Sequence, residues 1–102
     1  MKRFVLGTNR TSAEQDAAFV EVLRARWPHL GWWHQLSEMW LIVDVTDTLT
    51  VSDLRDAVLE TFTGIYLMVV EASGPRLWSG YGPTITPGDM FTWMRESWDL
   101  SD

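Results

Sequence analysis

Cysteine is absent from all 102 residues. That excludes disulfides, thiolate metal sites and a cysteine nucleophile. Positive charge is scarce: eight Lys and Arg stand against fourteen Asp and Glu, for a net charge of −6. So few bases cannot build a broad basic surface, which argues against a nucleic-acid partner held through its phosphates. No stretch reaches the roughly 20 apolar residues of a membrane-crossing helix. The N-terminus Met1-Lys2-Arg3-Phe4-Val5-Leu6-Gly7-Thr8 has too short an apolar run for a signal peptide. Cytosol is therefore the expected compartment. There is no internal repeat, low-complexity run or interdomain linker.

Apolar residues make up 46% of the chain, enough for a packed interior. The aromatics are lopsided, with seven Trp against four Phe and two Tyr. One small core cannot take seven indoles, so several belong near the surface or in an interface. The length fits one domain over residues 1–102, with a core at 3–72 and a C-terminal extension at 76–102.

Phe4-Val5-Leu6 reads as a short buried strand and Gly7-Thr8-Asn9-Arg10 as the turn after it. Thr11 or Ser12 caps a helix, since both Thr11-Ser12-Ala13-Glu14 and Ser12-Ala13-Glu14-Gln15 fit a capping box. Its stripe is Ala18, Phe19, Val22 and Leu23, and Pro28 ends it just past Trp27. Gly31 to Leu36 is a two-faced strand, with Trp32, His34 and Leu36 opposed to Trp33 and Gln35. After the link Ser37-Glu38, Met39 to Val45 is nearly all apolar and predicts a central strand covered on both sides. Asp47 and Thr48 turn the chain. Thr50 caps a second helix whose stripe is Val51, Leu54, Val58 and Phe62. Gly64 closes the following turn. Ile65 to Val70 predicts another buried strand.

Strand, helix, strand, strand, helix, strand is the split βαβ order of the ferredoxin-like α+β fold: a four-stranded antiparallel sheet with two helices on one face. Each helix is expected to cross over between parallel neighbours, and right-handed crossovers place both helices together. The other face is then bare and carries Trp. Arg76 to Pro87, rich in Gly and Pro, predicts a short fifth strand or an ordered loop. Thr86-Pro87 opens a last helix with Met90, Phe91, Met94 and Trp98 in its stripe and Trp93 off it. That helix either folds back as a lid or crosses to a second protomer.

The segment Gly31-Trp32-Trp33-His34-Gln35-Leu36-Ser37-Glu38-Met39-Trp40-Leu41-Ile42-Val43 is the most distinctive in the chain. It resembles the Trp-Trp-His-x-Leu-x-x-x-Trp-Leu hairpin of SinR-like proteins. Those are similar to the small CRISPR-associated endoribonuclease and integration-scaffold family, which is ferredoxin-like and dimeric. The element order from Arg3 to Ala72, the strand Leu67 to Val70 and the Trp78-to-Gly80 segment agree with it. The resemblance implies a homodimer. It also implies an acidic residue at the end of the first strand, able to hold a divalent metal. Asn9 stands at or next to that position, and Asn is a neutral oxygen ligand that cannot act as a general base. A turn residue is the plainer reading of Asn9.

Two further side chains are candidates. His34 could act as a base or ligand, as imidazole side chains do, but no second ligand is spaced to help it. A hydrogen-bonded packing residue is the alternative. Asp44 follows Ile42 on one face of the central strand, where a charge must be paired or reach water. Either it is an interface or site carboxylate, or it is a strand-end acid that reaches water or pairs with Arg3 or Arg10 from the neighbouring strand. Gly80-Tyr81-Gly82-Pro83 lacks the Lys and the strand-to-helix setting of a phosphate loop.

The expected function is a non-catalytic interaction module that dimerises or docks a protein partner. Its interface would comprise Trp32, Trp33, His34, Trp40, Trp78, Tyr81, Trp93 and Trp98, because Trp is enriched in binding hot spots. No cofactor or metal is implied. The alternatives are a metal-dependent endoribonuclease using Asn9 or Asp44, and a small acidic inhibitor of a nucleic-acid-binding protein.

Overall fold

The computed structural model describes residues 1–62, 64–72, 78–80 and 90–99. Strands β1 (Lys2–Thr8), β2 (Gly31–Leu36), β3 (Met39–Asp44) and β4 (Leu67–Ala72) and helices α1 (Ala13–Arg26) and α2 (Val51–Thr61) follow the order β1-α1-β2-β3-α2-β4. A short helix α3 (Met90–Trp93) runs directly into a π-helical turn, Met94–Trp98.

Local chemistry sets the helix starts. Ser12 Oγ accepts from Gln15 N–H at 3.1 Å, while Gln15 Oε1 accepts from Ser12 N–H at 3.0 Å. This capping box makes Ser12, not Thr11, the N-cap. Thr50 and Asp53 repeat the device at α2. Trp27 caps the C-terminus of α1 and Pro28 prevents its continuation. Gly64, at φ +69°, supplies the left-handed turn after α2.

The sheet order is β2-β3-β1-β4 with every adjacent pair antiparallel, a ferredoxin-like α+β arrangement. The expectation of parallel neighbours needs correcting. β1 and β2 do run parallel, but β3 lies between them; β1 likewise separates β3 from β4. Each helix therefore crosses one intervening strand.

On one face α1 and α2 bury Phe19, Leu23, Leu54, Ala57 and Val58 against Phe4, Leu6, Trp40 and Ile42 of the two central strands. Each of the Phe, Leu, Ile and Val side chains among them contributes roughly 1.5–3 kcal/mol by leaving water. Ala18 and Val51, placed in the helix stripes from spacing, are exposed instead, and Ala57 takes a core position.

The opposite face is not left bare. Met94 and Trp98 of the C-terminal turn close over Trp33, Leu41 and Val43, with Met1, Val5, Phe91, Trp93 and Trp78 packed around them. Arg3, buried on this face, donates from Nε to the Trp98 carbonyl at 2.6 Å and so satisfies an end-of-helix acceptor. Trp78 Nε1 donates to Asp99 Oδ1 at 2.8 Å, and its ring stacks on Phe91. Trp93, expected off the stripe, packs with this cluster. The Asp99 N–H bonds back five residues to the Met94 carbonyl. This wider π turn brings Trp93 and Trp98 to a ring separation of 6.4 Å.

Coverage reaches only the Ala72 end of β4. That strand was expected over Ile65 to Val70 and buried. It begins at Leu67, lies at the sheet edge, and leaves Met68 69% and Val70 49% exposed. Its Leu67 and Val69 face the helices; on its other side Ala72 packs against the C-terminal cluster, while Met68 and Val70 are left open. The fifth strand or loop expected over Arg76 to Pro87 falls outside the described residues except at 78–80, which are neither helix nor strand. The helix start at Thr86-Pro87 also falls outside them.

Trp98→Ala should lower unfolding free energy by roughly 3–5 kcal/mol, because the cavity opens where the turn meets the sheet. Urea denaturation of the full chain measures it. An unchanged midpoint would mean that this turn does not hold the second face closed.

Candidate functional site

Strand alternation divides the residues expected at one interface between two faces. Trp32, His34 and Trp40 lie toward α1, whereas Trp33 lies under the C-terminal turn with Trp93, Trp98 and Trp78. Tyr81 lies outside the described residues. Trp40 is fully buried, edge-on to Phe19, and its Nε1 has no hydrogen-bond partner. Such an orphaned donor costs about 1–3 kcal/mol.

His34 sits at the junction of α1 with the β2–β3 hairpin. Its ring is stacked on Trp40, with centroids 3.8 Å apart. Nδ1 lies 3.0 Å from the Met39 carbonyl and Nε2 lies 3.0 Å from Asp16 Oδ2. Thr11 Oγ1 donates to the other Asp16 oxygen at 2.5 Å. Hydroxyl, carboxylate and imidazole are thus in line, but in an order that differs from a nucleophile triad. There the imidazole lies between the hydroxyl and the carboxylate and takes the hydroxyl proton. Here the carboxylate is in the middle and both imidazole nitrogens are engaged. The arrangement ties α1 to the hairpin.

Asp44 is fully buried, so neither solvation nor a bond to Arg3 or Arg10 accounts for it. Arg3 projects from the opposite face, where it meets Trp98, and Arg10 is exposed beyond the end of β1. The carboxylate instead organises the connection from β3 to α2. Oδ1 accepts from Thr46 N–H at 2.9 Å and Thr46 Oγ1 at 2.6 Å, and Oδ2 accepts from Thr48 and Leu49 N–H at 2.9 and 2.7 Å. His29 Nε2 lies 3.2 Å from Oδ1. Burial alone would raise the Asp44 pKa, but the Thr46 hydroxyl and the three backbone N–H groups outweigh it and hold the value at about 2.

Asn9 is a turn residue. Its Oδ1 accepts from Tyr66 N–H at 2.5 Å while its own N–H donates to the Tyr66 carbonyl, joining the end of β1 to the start of β4. Among the described residues no three His, Asp or Glu side chains gather as a metal site. No described helix is long and apolar enough to cross a membrane.

The remaining candidate is a surface. Cross-strand pairing sets Leu36, Met39, Gly7 and Met68 in one row across the face opposite α1 and α2, with Val70 in the next row. The C-terminal turn leaves the ends of this row open: Leu36 is 51% exposed and Met68 more so, while Met39 between them is half-buried against the covered cluster. Gly7 deepens it, since a Cβ there would meet nothing within 4 Å. Sequence reasoning concentrated on Trp and missed these residues. The signal was present in the alternation of β4 and in Leu36, but only the lid's placement distinguishes a covered from an uncovered strip. Comparisons with protein-family models, curated proteins and solved structures return no match for this chain.

Asp44 gives a pH prediction. Its folded pKa of about 2 lies below the ordinary 3.8, so its stabilisation is complete above the ordinary value and is lost as pH falls through the folded one. Asp44→Asn should cost at least roughly 2 kcal/mol at pH 7, and the gap should narrow between about pH 4 and pH 2. Urea unfolding at both ends of that range measures this, and a pH-independent gap would contradict it.

Proposed function

We propose that this chain is a non-catalytic protein-interaction module that presents the uncovered end of its sheet to a protein partner. The observation that carries the reading is the apolar row of Leu36, Met39, Gly7 and Met68, continued by Val70, in which Leu36, Met68 and Val70 are exposed and Met39 is half-buried. Isolated exposed apolar side chains are ordinary on a protein surface. A contiguous strip on a strand-built floor, beside a face that is otherwise closed, is a surface suited to a partner. The Trp side chains support the reading indirectly, since the cluster under the C-terminal turn stiffens the sheet that displays the strip.

The rival endoribonuclease reading draws on the hairpin's resemblance to SinR-like proteins, and the polar groups speak against it. Asn9 Oδ1 is committed to Tyr66, Asp44 to four donors in its own loop, and His34 to Asp16 and Met39. Each would have to break a structural bond before it could hold a metal or move a proton.

Two outcomes are expected. Purified protein should not cleave RNA or DNA with Mg²⁺ or Mn²⁺; cleavage abolished by Asn9→Ala would promote the nuclease. A photo-crosslinking side chain at position 68, introduced in cells, should join the chain to a protein, whereas one at exposed Arg24 on α1 should not. If position 68 captures no protein, neither another copy nor a different chain, the module reading fails.

A further inference from the structure

We propose that the outer edge of β4 pairs antiparallel with β4 of a second copy, joining two four-stranded sheets into one of eight strands. The proposal rests on the interaction-module reading and names its partner.

β4 is the last strand on its side of the sheet among the described residues. Its sequence, Leu67-Met68-Val69-Val70-Glu71-Ala72, has no Lys or Pro. Its pairing with β1 runs without a bulge. Natural edge strands usually carry such devices against edge-to-edge pairing. Glu71 is the one charge on this strand.

The hydrogen-bond phase shows which groups the edge presents. In an antiparallel strand, alternate residues direct both N–H and C=O to the same neighbour. Asn9 N–H donates to the Tyr66 carbonyl, in the register that pairs Gly7 with Met68 and Val5 with Val70. On the other side of β1, Thr8 N–H donates to the Glu38 carbonyl, away from its β4 partner Leu67. Both observations give one phase. Met68, Val70 and Ala72 bond to β1, while Leu67, Val69 and Glu71 direct their backbone groups outward.

A two-fold axis through Val69 uses all three. Val69 pairs with the partner's Val69, Leu67 with the partner's Glu71, and Glu71 with the partner's Leu67, each pair exchanging two main-chain hydrogen bonds. The intervening non-bonded pair sets Met68 against the partner's Val70, so two half-exposed strips become one apolar surface.

Charge complements the register. A groove at the β4 edge is lined by Val51, Ser52 and Arg55 of α2 with Leu67, Met68 and Val69. Glu71 shares the helix-bearing side with Leu67 and Val69. In this register the partner's Glu71 lies beside Leu67, at the groove. There it meets the exposed Arg55 guanidinium, whose contact is the adjacent surface residue Asp56. The symmetry makes the pairing twice.

The test is sedimentation equilibrium of the full chain across concentration at low salt. Wild type should pass from monomer to twice the monomer mass. Glu71→Arg and Arg55→Glu should each raise the dimer dissociation constant roughly tenfold, by setting like charges together. Both substitutions in one chain should recover most of the loss. Amide exchange gives a second readout: on concentration, protection should rise at Leu67, Val69 and Glu71 but not at Met68 and Val70. A mass that stays monomeric overturns the proposal, as does association indifferent to the charge changes or not recovered by the double variant. The module reading is judged separately. Monomeric protein whose position 68 captures a different chain retains the module without the second copy, and capture of nothing removes both.

Discussion

The structure depends on closing the second face of a sheet whose central strands are apolar on both sides. β3 sends Trp40 and Ile42 toward the helices and Leu41 and Val43 the other way. Two helices of this length cover one face only. The C-terminal turn supplies the missing layer, and Arg3 fixes where it lies. Its guanidinium bonds the carbonyl of Trp98 at the end of the turn, and both residues are buried. A charge in that position is tolerable because it is hydrogen-bonded there, and its geometry sets the turn over β1, β3 and β2. The uncovered strip follows from that placement.

The polar side chains serve the same architecture. Asp44 holds the β3–α2 connection so that Thr50 can start α2 correctly over the core. Asp16 and His34 fasten the start of α1 to the β2–β3 hairpin. The Asp44 bonds are local to the β3–α2 connection, whereas Asp16 with His34 is a long-range tie between helix and sheet. Both use the groups from which a catalytic site would have to be assembled. Their strength comes from low exposure, as solvent-exposed pairs of the same kind are worth little. Arg26 with Glu60, an exposed pair, adds correspondingly less to the joining of α1 and α2.

Much of the fold was legible because local chemistry specified it. Capping boxes at Ser12 and Thr50, Pro28 after α1, Gly64 after α2 and the apolar run of β3 each carry a physical signal within a few residues. What escaped depends on partners distant in sequence. An apolar β-branched run reads the same in a central strand and in an edge strand, so β4 looked buried until the lid's extent was known. Trp93 fell off the stripe because a 3.6-residue period was assumed where the chain makes a π turn. The tie between His34 and Asp16 spans 18 residues and depends on how α1 sits over β2, which no spacing rule encodes.

In the proposed β4 pairing, Glu71 would have a role beyond solubility. A charge on an edge strand ordinarily discourages pairing, yet its effect depends on register. Shifting the symmetric β4 pair by one residue sets outward-directed backbone groups against inward-directed ones, and the ladder fails. Sliding it until the axis passes through Glu71 brings the two carboxylates face to face. With the axis at Val69, each carboxylate lies against Leu67 and the Arg55 groove. In the proposed dimer, the same side chain that opposes indiscriminate edge pairing would thereby select one arrangement, which is how a short apolar strand can be specific without a large interface.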